Sequence, residues 1–331
     1  MASSSPAQPA ADPRATRRTR RHGWSRHSNR TFFLFIGPWF VLGFLGLTLI
    51  PLLYAAGLSF TNFDGISGRW HWIGWDNYNE LIGDSDTWWG LSRSLIYMAV
   101  SVPLSIATAL GLALLLNQKL RGIAVFRTIF YLPAVVPVVA AAIIFKAMFD
   151  QNSGIVNAIV NLFGGSAVGW LVDPWAFEVL IAMVLWGVGT GMVIFLAALQ
   201  GIPSELREAA ATDGANSRQT FLAVVLPLLT PVIFFQVVTG IIFSLQTVAQ
   251  PLLLAPIPAA NAGTGFAVAT SIPRGNYLYM INVYAQIFNN QRWGYGAALL
   301  WLLIALMLVL TVGVLRSGRL WVYYEVDQTK G

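Results

Sequence analysis

Long apolar runs alternate with shorter polar, aromatic or charged stretches from residue 31 to residue 316. A bilayer core takes roughly 20 apolar residues per helix. Six runs reach that scale: Phe32–Tyr54, Leu95–Leu116, Val125–Phe149, Phe177–Leu199, Leu226–Leu254 and Tyr295–Leu315. The pattern predicts an all-α membrane protein with six transmembrane helices. Pro38, Pro51, Pro103, Pro133 and Pro137 fall inside or at the ends of these runs. Membrane helices tolerate proline where neighbours satisfy the freed carbonyls, so kinks are expected. No soluble domain and no clear internal repeat interrupts the pattern.

Composition agrees. Only 10% of residues are charged and 56% are hydrophobic, against about 25% charged in a soluble domain. The 13 Trp and 10 Tyr suit the aromatic belts of membrane interfaces. There is no cysteine, which excludes disulfides, thiolate catalysis and cysteine metal sites.

Charge gives the orientation. With the N-terminus in the cytoplasm, the inner segments 1–31, 117–127, 200–225 and 316–331 hold 15 of the 20 Lys and Arg. Eight acids lie outside and six inside. That is the positive-inside arrangement, with both termini cytoplasmic. The net charge of +6 is thus read as membrane sidedness, not as nucleic-acid binding. Residues 1–30, Ala/Ser/Pro-rich and then arginine-rich, read as a disordered basic tail. The twin arginines Arg17–Arg18 and Arg20–Arg21 suggest an export signal, but the run from Phe32 is too long for one. Residues 317–331 read as a short cytoplasmic C-terminal tail. The outer connections 61–91, 150–175 and 255–293 are long and polar-aromatic, which suits either belt residues or a surface receiving a soluble partner.

Several chemistries have no candidates. A nucleotide P-loop needs Gly-Lys followed by Ser or Thr. The three lysines, Lys119, Lys146 and Lys330, precede Leu, Ala and Gly. His22, His27 and His71 form no pair with metal-ligand spacing, so no metal, cofactor or catalytic set is expected. Charges within the runs are nearly missing. Lys146 and Asp150 are four apart and could pair, with snorkelling the other account of Lys146. Without a midplane carboxylate, proton- or sodium-coupled carriage is disfavoured.

One stretch between the fourth and fifth runs breaks the pattern: "ELREAAATDGANSRQTFLAVVLPLL", from Glu205 to Leu229. Ser204 is expected to cap a helix, with Glu205 at the positive end of its dipole. Small residues Ala209 and Ala210 permit close approach of another surface. Gly214 should stop the helix in a positive-φ conformation. Asn216 or Ser217 should cap a second helix that leads into the fifth run. The product is a cytoplasmic helix-turn-helix. Arg207 and Arg218 are outnumbered by Glu205, Glu208 and Asp213. Amphipathic connectors lying on the inner leaflet usually carry Lys and Arg, so net acidity favours docking on a basic protein pocket.

These residues resemble the cytoplasmic motif of permease subunits of bacterial ABC importers. That motif is Glu-Ala-Ala, three residues, Gly, nine residues, an aliphatic, any residue, Leu-Pro. Here it is Glu208-Ala209-Ala210, Gly214 and Val224-Val225-Leu226-Pro227, with Val for the usual Ile. "IPLLYAAGLSFTNFDG", "LRGIAVFRTIFYLPAVVPVVAAAIIFKAMFDQNSGIVNAIV" and "WGVGTGMVIFLAALQGIPSELREAAATDGA" resemble the carbohydrate-uptake branch (the maltose and glycerol-phosphate type). The resemblance covers residues 31–316. One departure is "AQPLLLAPIPAANAGTG", where many relatives carry a glycine-rich Thr-Gly-Gly-Gly-Pro-like turn.

The resemblance implies a six-span permease in the bacterial inner membrane. Its partners would be a second permease subunit, commonly a different chain, two ATP-binding subunits and an extracytoplasmic solute-binding protein. Glu205 to Gly214 would form the coupling helix, with ATP hydrolysed in the partner chains. The solute would be a neutral mono- or oligosaccharide, or a related polyol or polyol phosphate. Candidate path residues are Trp186, Gln246 and Gln250, with Asn282 and Tyr284 just before the sixth run. The alternative is an ATP-independent secondary carrier or channel for a small polar solute.

Overall fold

In this computed structural model, the described residues are 26–68, 70–118, 121–256 and 271–323. Most of the two expected tails lies outside them. So does the 257–265 part of the departing loop. The chain divides into two units, Met1–Tyr54 and Ala55–Gly331.

In the first unit, α1 (Arg26–Trp39) continues through a π-helical stretch, Phe40–Leu49, into α2 (Ile50–Leu58), where the division falls. The run Phe33–Leu58 is long and apolar enough to span a membrane, and its most apolar window is unburied.

The regular structure of the second unit, among its described residues, is helical apart from one antiparallel bridge, Thr61 to Trp72. A short helix, α3 (Asp76–Gly83), precedes the long α4 (Ser85–Leu116). Then come α5 (Ile123–Val135), α6 (Val138–Met148), α7 (Ile155–Leu162), α8 (Ala176–Trp186) and α9 (Gly189–Gly201). The polar break forms α10 (Ser204–Thr212) and α11 (Ser217–Thr220). Beyond a π-turn at Phe221–Val225 run α12 (Leu226–Leu245), α13 (Ala249–Leu254), α14 (Tyr279–Tyr284) and α15 (Trp293–Trp321).

Four helical runs and two bent helix pairs have span-like length and composition, giving four to six candidate spans. Three expected boundaries are corrected. The helix that carries the second run begins ten residues before Leu95, at Ser85, because Asp84 caps it: its Oδ1 accepts the Asp86 N–H at 3.0 Å. The third is not one straight helix, since α5 and α6 meet at 101°. Pro137 is the cause: it pushes Val136 out of the helical region, to φ −69° and ψ 128°. The fifth ends at Leu245 rather than Leu254. Pro251 in a continuous helix would clash with the Thr247 carbonyl, so the chain breaks at Gln246–Val248 and restarts as α13. Nor do Lys146 and Asp150 pair; Asp150 Oδ1 instead accepts the Ser153 hydroxyl at 2.8 Å.

Helix α4 is the axis of this unit, packed against α8, α9, α12 and α14. It joins two buried clusters. Tyr97 belongs to one with Phe145, Leu180, Met183 and Ile281. Ala109, Ala113 and Leu116 belong to another with Met192, Phe195 and Leu229. Alanines at those α4 positions let α9 come close. Gly189 serves the same end, since a β-carbon there would fall 2.7 Å from the Phe130 carbonyl on α5. A third cluster joins Leu245, Tyr279, Tyr295 and Leu299.

Candidate functional site

Two features stand out: the polar break and a cavity between helices. In the break, Pro203 holds the N-cap position of α10 and Ser204 is its first helical residue, without a capping hydrogen bond. Ser204 is therefore not the cap, because a cap side chain needs non-helical backbone angles. Gly214 adopts φ +83°. Its N–H bonds the Ala211 carbonyl at 3.1 Å, and the Ala215 N–H reaches Ala210 at 3.0 Å. That pair of bonds is a Schellman stop. Asn216 then caps α11 in a reciprocal box with Gln219, at 2.9 and 2.8 Å. Glu205, Arg207, Glu208, Ala209, Asp213 and Gly214 are exposed, and Ala210 is half-buried. None of these charged residues makes an ion pair among the described residues. The result is a net-acidic ledge whose charges make no ion pair among the described residues.

The cavity holds about 570 Å³ between α4, the α8–α9 break, α12 and the start of α13. Hydroxyls line it from Tyr97, Ser101 and Ser105 on α4, Thr190 on α9, and Thr239, Ser244 and Thr247 at or beside α12. Amides enter from Gln236, Gln246 and Gln250. No Asp, Glu, Lys, Arg or His is among the lining residues.

Of the path candidates, Gln246 and Gln250 line this cavity. Trp186 does not, though its neighbours Gly187 and Val188 do; its ring packs edge-on against Phe145 with centroids 5.7 Å apart. Asn282 is buried elsewhere, donating to Thr87 Oγ1 at 2.9 Å. Tyr284 rests on Phe288, also away from the cavity. Sequence reasoning missed Tyr97, Ser101, Ser105 and Gln236. The available signal was a further amide in the apolar run that holds Gln246 and Gln250, and two serines four residues apart on one helix face.

At the Asp84 end of α4, polar side chains tie four helices together. Asp84 also accepts hydrogen bonds from the Thr87 hydroxyl (2.6 Å) and the Tyr295 hydroxyl (2.9 Å). Partial burial alone would raise the Asp84 carboxyl, but these bonds outweigh it and hold its pKa below the usual carboxylate value. Arg274 pairs with Asp86 at 2.8 Å and lies over the rings of Trp89 and Tyr277. Arg292 pairs with Glu80 on α3, and Tyr279 donates its N–H to Ser94 at 2.8 Å.

Apolar helices of spanning length, an uncharged cavity among them that carries hydroxyls and amides on a mainly apolar lining, and a charged helical ledge define a multi-pass membrane protein. The chain belongs to the inner membrane components of binding-protein-dependent transport systems, whose family model matches residues 101–320. This is a family of transport subunits in which the ATPase is a separate chain. The chain is 35% identical, over 91% of its length and 94% of the relative's, to YesP of Bacillus subtilis, described as a probable ABC transporter permease protein. It is 34% identical to the lactose transport system permease protein LacF of Rhizobium radiobacter, over 79% of this chain and 86% of that one. A chain in the crystal structure of a bacterial alginate ABC transporter, bound to an alginate pentasaccharide-loaded periplasmic protein, has the same fold. Its TM-score is 0.69 at 20% identity, covering 90% of this chain and 96% of that one.

Proposed function

We propose that this chain is one permease of a sugar-importing ABC transporter, crossing the membrane six times with both termini in the cytoplasm. Its cavity is half of the path for a neutral mono- or oligosaccharide or related polyol. The observation that carries this reading is the cavity itself, a space among candidate spans whose mainly apolar lining carries hydroxyls and amides and no charged group. Sugars are recognised by such hydrogen-bonding groups. The names of relatives such as LacF support a saccharide cargo. The exposed α10 ledge, centred on Glu208, docks on the ATP-binding subunit and passes on its closure. A second permease subunit faces the cavity, and a solute-binding protein delivers from outside. The bend between α5 and α6 leaves six spans as the reading that agrees with the charge sidedness, each bent pair being one span.

Proteoliposomes test the reading. Saccharide uptake should require both permeases, the ATP-binding subunits, ATP and the solute-binding protein together. Uptake by this chain alone without ATP would overturn it in favour of a secondary carrier, which the carboxylate-free lining disfavours.

A further inference from the structure

We propose that α7 is an interfacial helix: it rests an apolar stripe on the lipid of the extracytoplasmic leaflet and holds the outer ends of α6 and α8 there. This rests on the reading of α5 and α6 as two halves of one span, with α6 outermost, and not on the nature of the solute.

Helix α7 is amphipathic with its faces exchanged. Ile155, Ala158, Ile159, Leu162 and the residue after the helix, Phe163, follow the i, i+3, i+4, i+7, i+8 spacing of one helix face. On a helix packed against its own protein that stripe faces the core. Here all five residues are exposed, Leu162 by 83% and Phe163 by 89%. The side chain turned inward is polar instead. Asn157 is 2% exposed, donates to the Gln151 and Val168 carbonyls at 3.0 and 2.9 Å, and accepts from Trp170 Nε1 at 2.8 Å. Rolling the stripe inward would break all three bonds.

A tight turn sets the depth of the helix. Helix α6 ends at Met148 and is exposed at Val139, Ile143, Ile144 and Met148. Lys146, in its last turn, makes no ion pair among the described residues. A lysine at the end of a span lays its stem along apolar surface and lifts its ammonium to the headgroups, so this level is the interface. Asp150 follows at once, its Oδ1 accepting the Asn152 and Ser153 N–H groups at 3.0 and 2.8 Å. Gly154 closes the turn. Its N–H bonds the Asp150 carbonyl at 3.1 Å, and a β-carbon there would fall 2.4 Å from that oxygen. Through Asn157, α7 is therefore tied to Gln151, three residues past the end of α6. Interfacial helices lie at this headgroup level, with the apolar face sunk about 5–10 Å.

The chemistry of the stripe favours lipid over a protein partner. Helix α7 carries no charged residue, so burial in the leaflet desolvates no ion. The stripe offers no side-chain donor or acceptor, whereas a docking interface carries about one hydrogen bond per 100–200 Å². Lipid asks only for apolar area. The anchor reaches both spans. Trp170, bonded to Asn157, packs edge-on against Phe149 at 6.1 Å and against Trp175 at 5.7 Å, and Trp175 is the N-cap residue of α8.

Spin labels test this, because the chain has no cysteine of its own. Leu162→Cys and Phe163→Cys each take one nitroxide in the assembled importer, with cysteine-free partner subunits, in nanodiscs of phosphatidylethanolamine and phosphatidylglycerol. Both positions are exposed, and co-elution with the partner subunits confirms folding. Oxygen concentrates in lipid and a nickel chelate stays in water. The ratio of oxygen to nickel accessibility at 162 and 163 should exceed that of Asn152→Cys, in the exposed turn, by at least about fivefold. A ratio equal to that at 152 means water and overturns the proposal. Labels immobilised and shielded from both reagents mean a second permease or solute-binding protein on the stripe, and overturn it too. Ile143→Cys and Val309→Cys, exposed positions of candidate spans, separate the two levels of failure. If they also report water, the reading of these helices as spans falls first.

Discussion

Gln236 on α12 lies against Gly191 on α9, close enough that a single methyl on Gly191 would sit 2.8 Å from its Nε2. The atom in the way is the tip of a flexible side chain, so the helices need hardly move. Ala109 Cβ, at 3.2 Å, must give only a few tenths of an ångström. Alanine also favours helix over glycine by about 1 kcal/mol. Gly191→Ala should therefore fold with a Tm within a few degrees of wild type while turning the Gln236 amide aside. Uptake should drop severalfold, chiefly through a higher KM for solute. Thermal scanning fluorimetry beside uptake kinetics separates the two effects.

The ledge offers a stability test. Asn216→Ala removes the arm in which Asn216 Oδ1 accepts the Gln219 N–H and leaves only the reverse arm, the residue-216 N–H to Gln219 Oε1. A loss of about 1 kcal/mol of local helix stability is expected. The measurable result is faster amide hydrogen exchange over residues 217–221, with α4 unaffected. Gly214→Ala should act on the same ledge from the other side, because φ +83° costs a non-glycine residue about 1 kcal/mol. Unchanged exchange in both variants would mean that the turn is held by something other than these bonds.

Asp84 makes the far end of the unit sensitive to acid. Its folded pKa lies below the ordinary value, so the carboxylate adds stability above the unfolded pKa of about 3.9. That contribution is lost as pH falls through the lower folded value. Asp84→Asn should lower Tm at neutral pH, because the amide cannot accept from Asp86, Thr87 and Tyr295 together. Its Tm should then change less than that of wild type between about pH 5 and pH 3. Parallel pH dependences would remove Asp84 from the account.

Asn157 holds the loop after α6. Its amide donates to the Gln151 carbonyl (3.0 Å) and the Val168 carbonyl (2.9 Å) and accepts from the Val168 N–H and Trp170 Nε1. Asn157→Leu strands all four partners and should cost about 2–4 kcal/mol, read as a lower Tm of the assembled complex. Asn157→Asp should cost at least as much, because the oxygen that replaces Nδ2 faces the Gln151 and Val168 carbonyls in a buried site.

How much of this was legible in the sequence depended on the kind of signal. The α10–α11 turn was, because glycine and asparagine act locally: Gly214 stops one helix and Asn216 caps the next whatever surrounds them. Ser204 misled because Pro203 before it already supplies the non-helical entry. Apolar length located the spans but not their breaks. The 101° bend at Pro137 and the stop at Leu245 depend on where freed carbonyls find room, and hydropathy does not record that. The cavity was half legible. Gln246 and Gln250 stood out as amides, whereas Ser101 and Ser105 are ordinary residues of an apolar helix until α12 is packed beside them. Asn282 looked equally polar in sequence, yet its partner is Thr87, 195 residues away.

The central claim is that the α10 ledge receives the force of ATP hydrolysis from a partner chain. Glu208 is exposed and makes no ion pair among the described residues, so reversing its charge leaves the fold alone and alters only what docks there. The direct measurement is saccharide uptake, with solute-stimulated ATP hydrolysis, by the reconstituted importer carrying Glu208→Lys. A like-charge contact against a basic pocket costs several kcal/mol, so both activities should fall by at least about tenfold. Uptake and ATPase stimulation at wild-type levels would contradict the claim.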